Sequence, residues 1–531
     1  MGFCKKDYVI IEINGLLVFR GRCDIMWELI QVKDQIKYKI IKNLFQAKKP
    51  VTIETLSIET SSSQRSIKNY LSELKSTVTS LGGSIETSND GIQLHLPSNI
   101  GLDLFERQMF KNTPGLVLLE LIFHNNHLCS TDLIDMLFLS SSTFNRLIRS
   151  LKEILSSYGL SIDPNPYRIT GEEILIRRFY SSYFQEAYSS SEWPFEEISE
   201  NNANKLLHVF LSSSDIGETF YEYSLFRMHF TVNFIRNKKG YSVMDEQFPF
   251  HNIKVQHSRI SSELKLIICN AGVDSEDTQL YADQMAYWNI YYSPAFFKVY
   301  LSENPHYGRR ISSIEKPINE LADIFDLPAF DKTNILKDLD TYLELYCRNP
   351  NRIIAKDYIL FKPRDYYLIE IFKCSYFFFY EEAEEKMKSI CIERDLEPCD
   401  QLIESMMHIL LTKWEDLTAT LFKKFSICKV LVYSHLNYTH AENIVSSLHA
   451  NTNRVMDIEI YKGSSISEKQ LSKYSFDILV SSTTLSLDIP QKIQYLHYKI
   501  HGPFVQPLVL LIDEIVTENK RNIHTYIRSL T

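Results

Sequence analysis

Apolar positions recur at helical spacing in SSSQRSIKNYLSELKSTVTS, residues 61–80, where Ile67, Leu71, Leu74 and Val78 form one stripe. Arg65, Lys68, Asn69 and Ser72 fall on another face at the i, i+3, i+4, i+7 spacing. Serines at the start of this segment are suited to accept hydrogen bonds from the free N–H groups of a helix terminus. A shift of 77 positions reproduces both faces: the stripe becomes Phe144, Ile148, Leu151 and Leu155, and the polar face becomes Ser142, Asn145, Arg146 and Arg149. One structural unit is used twice.

The flanking patterns repeat as well. In the first copy, residues 34–46 predict a helix, PVTIETLSIET a short helix capped near Thr52, and residues 61–80 the long helix. In the second, the same three roles fall to residues 103–124, to CSTDLIDMLFLS and to residues 141–157. An alternating hairpin pattern follows each long helix, SIETSNDGIQLHL turning at Asn89-Asp90-Gly91 and LSIDPNPYRITG turning at Pro164-Asn165-Pro166. Three helices and a hairpin make a winged helix-turn-helix.

That unit places its third helix in the DNA major groove, where polar and basic side chains of the N-terminal half reach base edges and phosphates. The candidate DNA contacts are therefore Ser63, Gln64, Arg65, Lys68 and Asn69 in the first copy and Ser142, Thr143, Asn145, Arg146 and Arg149 in the second. Arginine suits a bidentate contact to guanine and asparagine one to adenine. The wings are expected to add phosphate contacts. The competing reading takes these positions as solvated faces of helices in a bundle.

Beyond residue 172 the pattern is helical. After about residue 425 strands and helices alternate: KVLVY (429–433), the helix THAENIVSSLHA, then VMDIEIYKG, FDILVSS (476–482) and FVQPLVLLID (504–513) as further strands. This alternation predicts a small parallel α/β sheet. Residues 8–19 are apolar, but they are too short to span a membrane and are broken by Glu12, Asn14 and Gly15, the last two suggesting a hairpin turn. The role of residues 1–25 is open, and Met26 is an alternative start.

Composition narrows the class. At 531 residues several domains are expected, and 44% hydrophobic with 12% aromatic residues is enough for packed cores. Only 16 glycines and 17 prolines favour helices over turn-rich barrels and sandwiches. The nine cysteines form no CxxC pair or zinc pattern, which implies free thiols in a reducing cytoplasm. Net charge is −9, yet residues 1–160 hold 18 Lys+Arg against 16 Asp+Glu, and residues 26–80 hold 9 against 5. A mildly basic N-terminal part on an acidic body suits a DNA reader that avoids binding through its whole surface. No P-loop, GxGxxG, HExxH or GxSxG motif is present, so the chain reads as a non-enzyme without cofactor or metal.

Tandem winged helices followed by YRITGEEILIRRFYSSYF, residues 167–184, resemble the Mga/AtxA class of bacterial transcription regulators. The resemblance covers roughly residues 30–531. It implies two phosphotransferase-system regulation domains, helical bundles in which phosphocarrier proteins modify histidines. In SLFRMHFTVNFIRNKKG, residues 224–240, His229 with Arg236 matches the family's histidine followed seven residues later by arginine, and His208 is a lesser candidate. A neutral imidazole is a competent nucleophile for phosphoryl transfer near neutral pH. The alternative is a packing histidine. Departures are plain: counting seven from Asp283 reaches Ile290, and Tyr342 stands where the second bundle should carry a histidine. The aromatic and acidic run CSYFFFYEEAEEKMK, residues 374–388, reads as core plus a solvated face. The C-terminal sheet resembles the IIB domain of phosphotransferase permeases, but Ser434 occupies the position of its cysteine and Cys428 precedes the strand, so this domain reads as a docking or oligomerisation module.

The expected fold is a mainly α multidomain chain. Its parts are an N-terminal extension (1–25), winged helix-turn-helix domains at 26–98 and 99–171, helical regulation domains at 172–290 and 291–424, and a IIB-like α/β domain at 425–531. The expected function is transcription regulation in the cytoplasm. The partners are double-stranded promoter DNA, a second copy in a homodimer, phosphocarrier proteins and RNA polymerase, with no membrane. The competing class is a protein-interaction scaffold docking to phosphotransferase components.

Overall fold

The structure, a computed structural model, describes residues 10–13, 16–19, 25–213, 220–241, 305–348, 358–361, 366–452, 455–496 and 505–530. The chain divides into two compact units, residues 1–305 with 341–364 and residues 306–340 with 365–531.

The first unit begins with an antiparallel pair, β1 (Ile10–Ile13) and β2 (Leu16–Phe19), and a short 3₁₀ turn at Ile25–Leu29. The turn expected at Asn14-Gly15 lies outside the described residues. The first winged helix follows as α1 (Val32–Gln46), α2 (Ile53–Thr60) and α3 (Gln64–Ser80), then β3 (Ser84–Ser88) and β4 (Gly91–His95). The stripe Ile67, Leu71, Leu74 and Val78 is buried against Ile40, Ile41, Leu44 and Leu56, with Ile85 and Ile92 of the hairpin closing the core. Each such side chain contributes about 1.5–3 kcal/mol of burial free energy. Val51 exchanges two backbone hydrogen bonds of 2.8 Å with Ile92, which fastens the hairpin to the chain ahead of α2. Gly91 is required at this crossing, because a Cβ there would lie 2.8 Å from the Val51 carbonyl oxygen.

The second winged helix is α5 (Pro114–His124), α6 (Ser130–Met136), α7 (Ser141–Ser156), β5 (Leu160–Pro164) and β6 (Tyr167–Gly171). The sequence pattern of one helix over 103–124 is corrected here. A separate α4 (Leu102–Asn112) stops at Thr113, because Pro114 lacks an N–H and cannot continue a helix but is well placed to start one.

The 77-residue repeat holds in backbone detail. Helices α2 and α6 are N-capped by Thr52 and Cys129, and α3 and α7 by Ser63 and Ser140. Left-handed residues punctuate both copies, Ser61 (φ 52°) with Phe138 (φ 53°) and Gly82 (φ 78°) with Gly159 (φ 71°). Buried Ile85 and Ile92 correspond to buried Ile162 and Ile169.

A helical body follows: α8 (Glu173–Ala187), α9 (Glu200–Ser213) and α10 (Phe220–Lys238). Helix α8 buries Phe179, Tyr180, Tyr183 and Phe184, and its Tyr180 and Tyr183 hydroxyls each donate to a carbonyl of α5 at 3.0 Å. Two backbone-anchored hydrogen bonds and a shared aromatic core thus join the second winged helix to this body. The Asp283–Ile290 region lies outside the described residues.

Helix α11 (Pro305–Ile324) and α12 (Thr333–Arg348) lead into α13 (Tyr367–Ser375), α14 (Phe377–Glu393), α15 (Asp400–Lys413) and α16 (Leu417–Phe425). In this second bundle Phe378 and Phe379 are fully buried while Glu385 is exposed, so the 374–388 run is core plus solvated face. Asp340, itself buried, accepts a bidentate pair from Arg310 at 2.8 Å and a third bond from Arg394 at 2.8 Å.

The chain ends in a four-stranded parallel sheet ordered β10-β9-β7-β8, from β7 (Cys428–Tyr433), β8 (Met456–Ile460), β9 (Ile478–Ser481) and β10 (Lys492–Tyr495). Helices α17 (Tyr438–Asn451), α18 (Glu468–Leu471) and α19 (Gln506–Leu530) complete it. The strand expected at 504–513 is corrected: residues 506–513 open α19, which buries Leu508, Ile512 and Ile515 at helical spacing, with buried Val505 just ahead of it. The fourth strand is the more polar β10 at the sheet edge.

Candidate nucleic-acid interface

The N-termini of α3 and α7 are built by their caps. Ser63 Oγ accepts from the Ser66 amide at 3.1 Å, and Ser140 Oγ from the Thr143 amide at 3.2 Å. Ser140 also shares hydrogen bonds with the hydroxyls of Ser142 (3.0 Å) and Thr143 (2.9 Å), so these two candidates partly serve the cap. Ser140 itself is absent from the sequence-derived candidates, although the 77-residue shift from Ser63 points to it.

Gln64, Arg65, Lys68 and Asn69 are exposed on α3, as are Ser142, Asn145, Arg146 and Arg149 on α7, while Thr143 is half-buried. In each helix the polar face stands opposite the buried stripe. Arg65, Lys68, Arg146 and Arg149 form no ion pair among the described residues. Nearby cations behave differently. Lys37 pairs with Glu73 at 2.6 Å, Arg107 with Asp103 at 2.8 Å and Arg168 with Asp163 at 3.0 Å. The four helix cations are therefore available to an external anion.

The wings do not carry the positive charge expected of them. Between Ser84 and His95 the first hairpin has Glu86 and Asp90 and no Lys or Arg, and the second has only Arg168, already paired. Exposed Lys48 and Lys49, just ahead of α2, offer positive charge that helical-face counting overlooked.

The histidine candidates lie on different helices. His208 is exposed on α9. His229 is half-buried on α10, and burial, aided by the Arg178 guanidinium, pushes its imidazole down to about 4. It is neutral at pH 7, the form that acts as a nucleophile. The rest of the signature forms a cluster of its own. Glu173 accepts from Arg177 Nε at 2.8 Å and from Arg236 Nε at 2.9 Å, and Arg177 also reaches Asn237 Oδ1 at 2.7 Å and the Tyr241 carbonyl at 2.6 Å. Burial lowers Arg177 to about 10, still charged at neutral pH. Tyr342, where a second histidine would stand, is buried, and the Arg178 guanidinium lies 5.9 Å from its ring centroid.

In the C-terminal sheet, Ser434 and Ser482 follow β7 and β9, the two strands between which the chain order reverses. Ser434 Oγ shares a hydrogen bond with His440 Nδ1 at 2.8 Å, and Ser482 Oγ with His435 Nδ1 at 2.9 Å. Cys428 lies at the other end of β7, buried, with its thiol pushed up to about 12 by burial and by Asp477.

Two winged helix-turn-helix units ahead of helical bundles and a terminal parallel sheet define a multidomain transcription regulator. Residues 98–184 match the Mga helix-turn-helix domain. A putative trans-acting regulator of Streptococcus pneumoniae serotype 4 is 20% identical over 468 residues, 86% of this chain and 93% of that protein. The Bacillus anthracis capsule synthesis positive regulators AcpA and AcpB are 24% identical over 209 residues and 21% over 165. These matches cover 39% and 30% of this chain, and 43% and 34% of those proteins. The chain is similar to regulators of the Mga/AtxA type. Among the described residues no helix is long and apolar enough to cross a membrane.

Proposed function

We propose that the protein regulates transcription by binding double-stranded promoter DNA through α3 and α7, the two third helices of its tandem winged helices. The observation that carries this reading is the set of exposed cations Arg65, Lys68, Arg146 and Arg149 at equivalent faces of both repeats, without an ion pair among the described residues. Arg65, Lys68, Arg146 and Arg149 supply phosphate and guanine contacts, Asn69 and Asn145 suit adenine, and Lys48 and Lys49 add backbone contacts beside α2. With little positive charge on the wings, the third helices carry most of the phosphate contacts, sequence specificity is modest and DNA shape contributes to selectivity. The protein acts in the cytoplasm as a homodimer, in concert with RNA polymerase.

Control passes through the helical bundles. A phosphocarrier protein modifies His229, or secondarily His208, and the added negative charge near Arg178 reorganises α10 against α8. Fluorescence anisotropy of a duplex from the gene's upstream region, titrated at several salt concentrations, tests the DNA reading. Tight binding with a steep salt slope supports it. Binding indifferent to salt, or none, replaces it with a scaffold that docks to phosphotransferase proteins.

A further inference from the structure

The turn between α6 and α7 carries an aromatic side chain that the fold does not need. Helix α6 ends with Phe138 N–H donating to the Asp135 carbonyl at 3.2 Å and Leu139 N–H to the Ile134 carbonyl at 3.0 Å. In the first repeat Ser61 and Ser62 make the same two bonds, to Ile58 and Ser57. Both turns therefore demand a left-handed residue at one equivalent position. Serine fills it in the first copy. Phenylalanine fills it in the second, at φ 53°, a region that a bulky side chain disfavours and glycine accepts. Phe138 is also 94% exposed, and Met136 two residues earlier is 46% exposed. A side chain that violates both its backbone preference and its burial preference, where the sister unit shows neither is necessary, points to a use outside the chain.

The charge around it says what kind of partner. No Lys or Arg occurs from residue 112 to residue 145, whereas Asp132 and Asp135 sit on α6 itself. Asp135 is exposed, and the Cys129 side chain and amide hold Asp132 below its ordinary range. Lys and Arg return only with Arg146 on α7, so the rim that α6 gives this tip is acidic. We propose that Met136 and Phe138 form an acidic-rimmed aromatic knob that docks into an apolar pocket, edged by basic side chains, on the RNA polymerase bound at the same promoter. Aromatic anchors with little conformational freedom commonly dominate such interfaces. The location beside α7 rests on the reading that α7 faces DNA, but the knob itself does not.

RNA polymerase holoenzyme is the probe. Wild type, Phe138→Ser, Phe138→Tyr and Asp135→Lys are compared for binding to labelled upstream duplex alone, for binding to polymerase on that duplex, and for self-association by sedimentation. Phe138→Ser, which installs the sister residue, is expected to melt no lower than wild type. It should bind duplex unchanged and hold polymerase about thirty-fold more weakly. Phe138→Tyr should retain polymerase binding, and Asp135→Lys should weaken it. Four outcomes overturn the proposal: polymerase not held by wild type, polymerase held equally by Phe138→Ser, duplex affinity lost in Phe138→Ser or gained in Asp135→Lys, and dissociation of an oligomer in Phe138→Ser. Failure of the wild type to bind duplex at all sinks the DNA reading instead, which the first arm reports separately.

Discussion

Arg236 grips Glu173 with two nitrogens of its guanidinium, Nε at 2.9 Å on one carboxylate oxygen and a terminal nitrogen on the other, across 63 positions of the chain. Both residues belong to the stretch that resembles the family, and Arg177 shares the same carboxylate. Arg177 and Arg236 are 2% and 4% exposed, so Glu173 is the anion that makes two buried cations tolerable. Glu173→Ala is expected to cost about 3–5 kcal/mol, because it removes the carboxylate that two buried guanidinium groups share. Urea unfolding followed by the fluorescence of Trp193, in the same body of the first unit, reads the loss. A change below about 1 kcal/mol would mean that water replaces the carboxylate freely.

His229 gives the first unit a definite pH response. Its folded value, near 4, lies below the ordinary 6.5, because burial and then Arg178 disfavour the imidazolium. Above about pH 6.5 neither the folded nor the unfolded chain protonates it. As pH falls below that, the unfolded chain gains a proton that the folded chain takes up only near pH 4, so stability is lost across this window. The full loss is roughly 3 kcal/mol. His229→Phe should therefore narrow the drop in melting temperature between about pH 7 and pH 5. An equal drop in both proteins would assign the acid sensitivity to other groups.

The two third helices should contribute separately to DNA affinity. Asn145→Ala with Arg146→Ala removes one candidate bidentate reader of adenine and one cation, and each base-reading side chain is worth about 1–3 kcal/mol. Arg65→Ala with Lys68→Ala removes two cations, one of them a candidate guanine reader, so it should weaken binding to both duplexes and reduce the salt slope by about one for each phosphate no longer neutralised, with any extra loss on the upstream duplex reporting a base contact by Arg65. Anisotropy titrations against the upstream duplex and an unrelated one separate the two effects. If the first-repeat substitution leaves affinity and slope unchanged, α3 is not a DNA-facing helix.

The repeat was legible because its two faces are short-range patterns. Ile67 and Phe144 recur with their neighbours at helical spacing, and the shift carries caps and turns with them. The same reasoning misread 504–513, since an apolar run of that length suits a buried strand and a buried helix alike, and only the spacing of Val505, Leu508 and Ile512 tells them apart. It also merged α4 with α5, because apolar residues continue on both sides of Pro114. Contacts such as Glu173 with Arg236 leave no local trace. Phe138 was hidden for the opposite reason: an apolar residue beside an apolar helix reads as core until its exposure is seen.

The C-terminal sheet carries the last test, which compares the two ends of β7. Cys428 begins the strand, packed among Val430, Met456 and Ile478, and with its thiol pushed up to about 12 it is almost wholly protonated at pH 8. A thiol reagent at that pH should modify exposed Cys129, Cys374 and Cys399 in the native protein, and Cys428 only after denaturant is added. Ser434, at the other end, shares a hydrogen bond with His440 and accepts one from the Leu436 amide at 3.1 Å, just ahead of the N-terminus of α17. A cysteine there would meet an imidazole and the positive end of a helix, both of which favour the thiolate. Ser434→Cys should therefore add one rapidly labelled thiol, faster at pH 7 than any of the native exposed cysteines. Slow labelling of that variant would show that the loop closes over position 434 and that its polar contacts only tie β7 to α17. Fast labelling of Cys428 in the native protein would show that this end of the sheet opens.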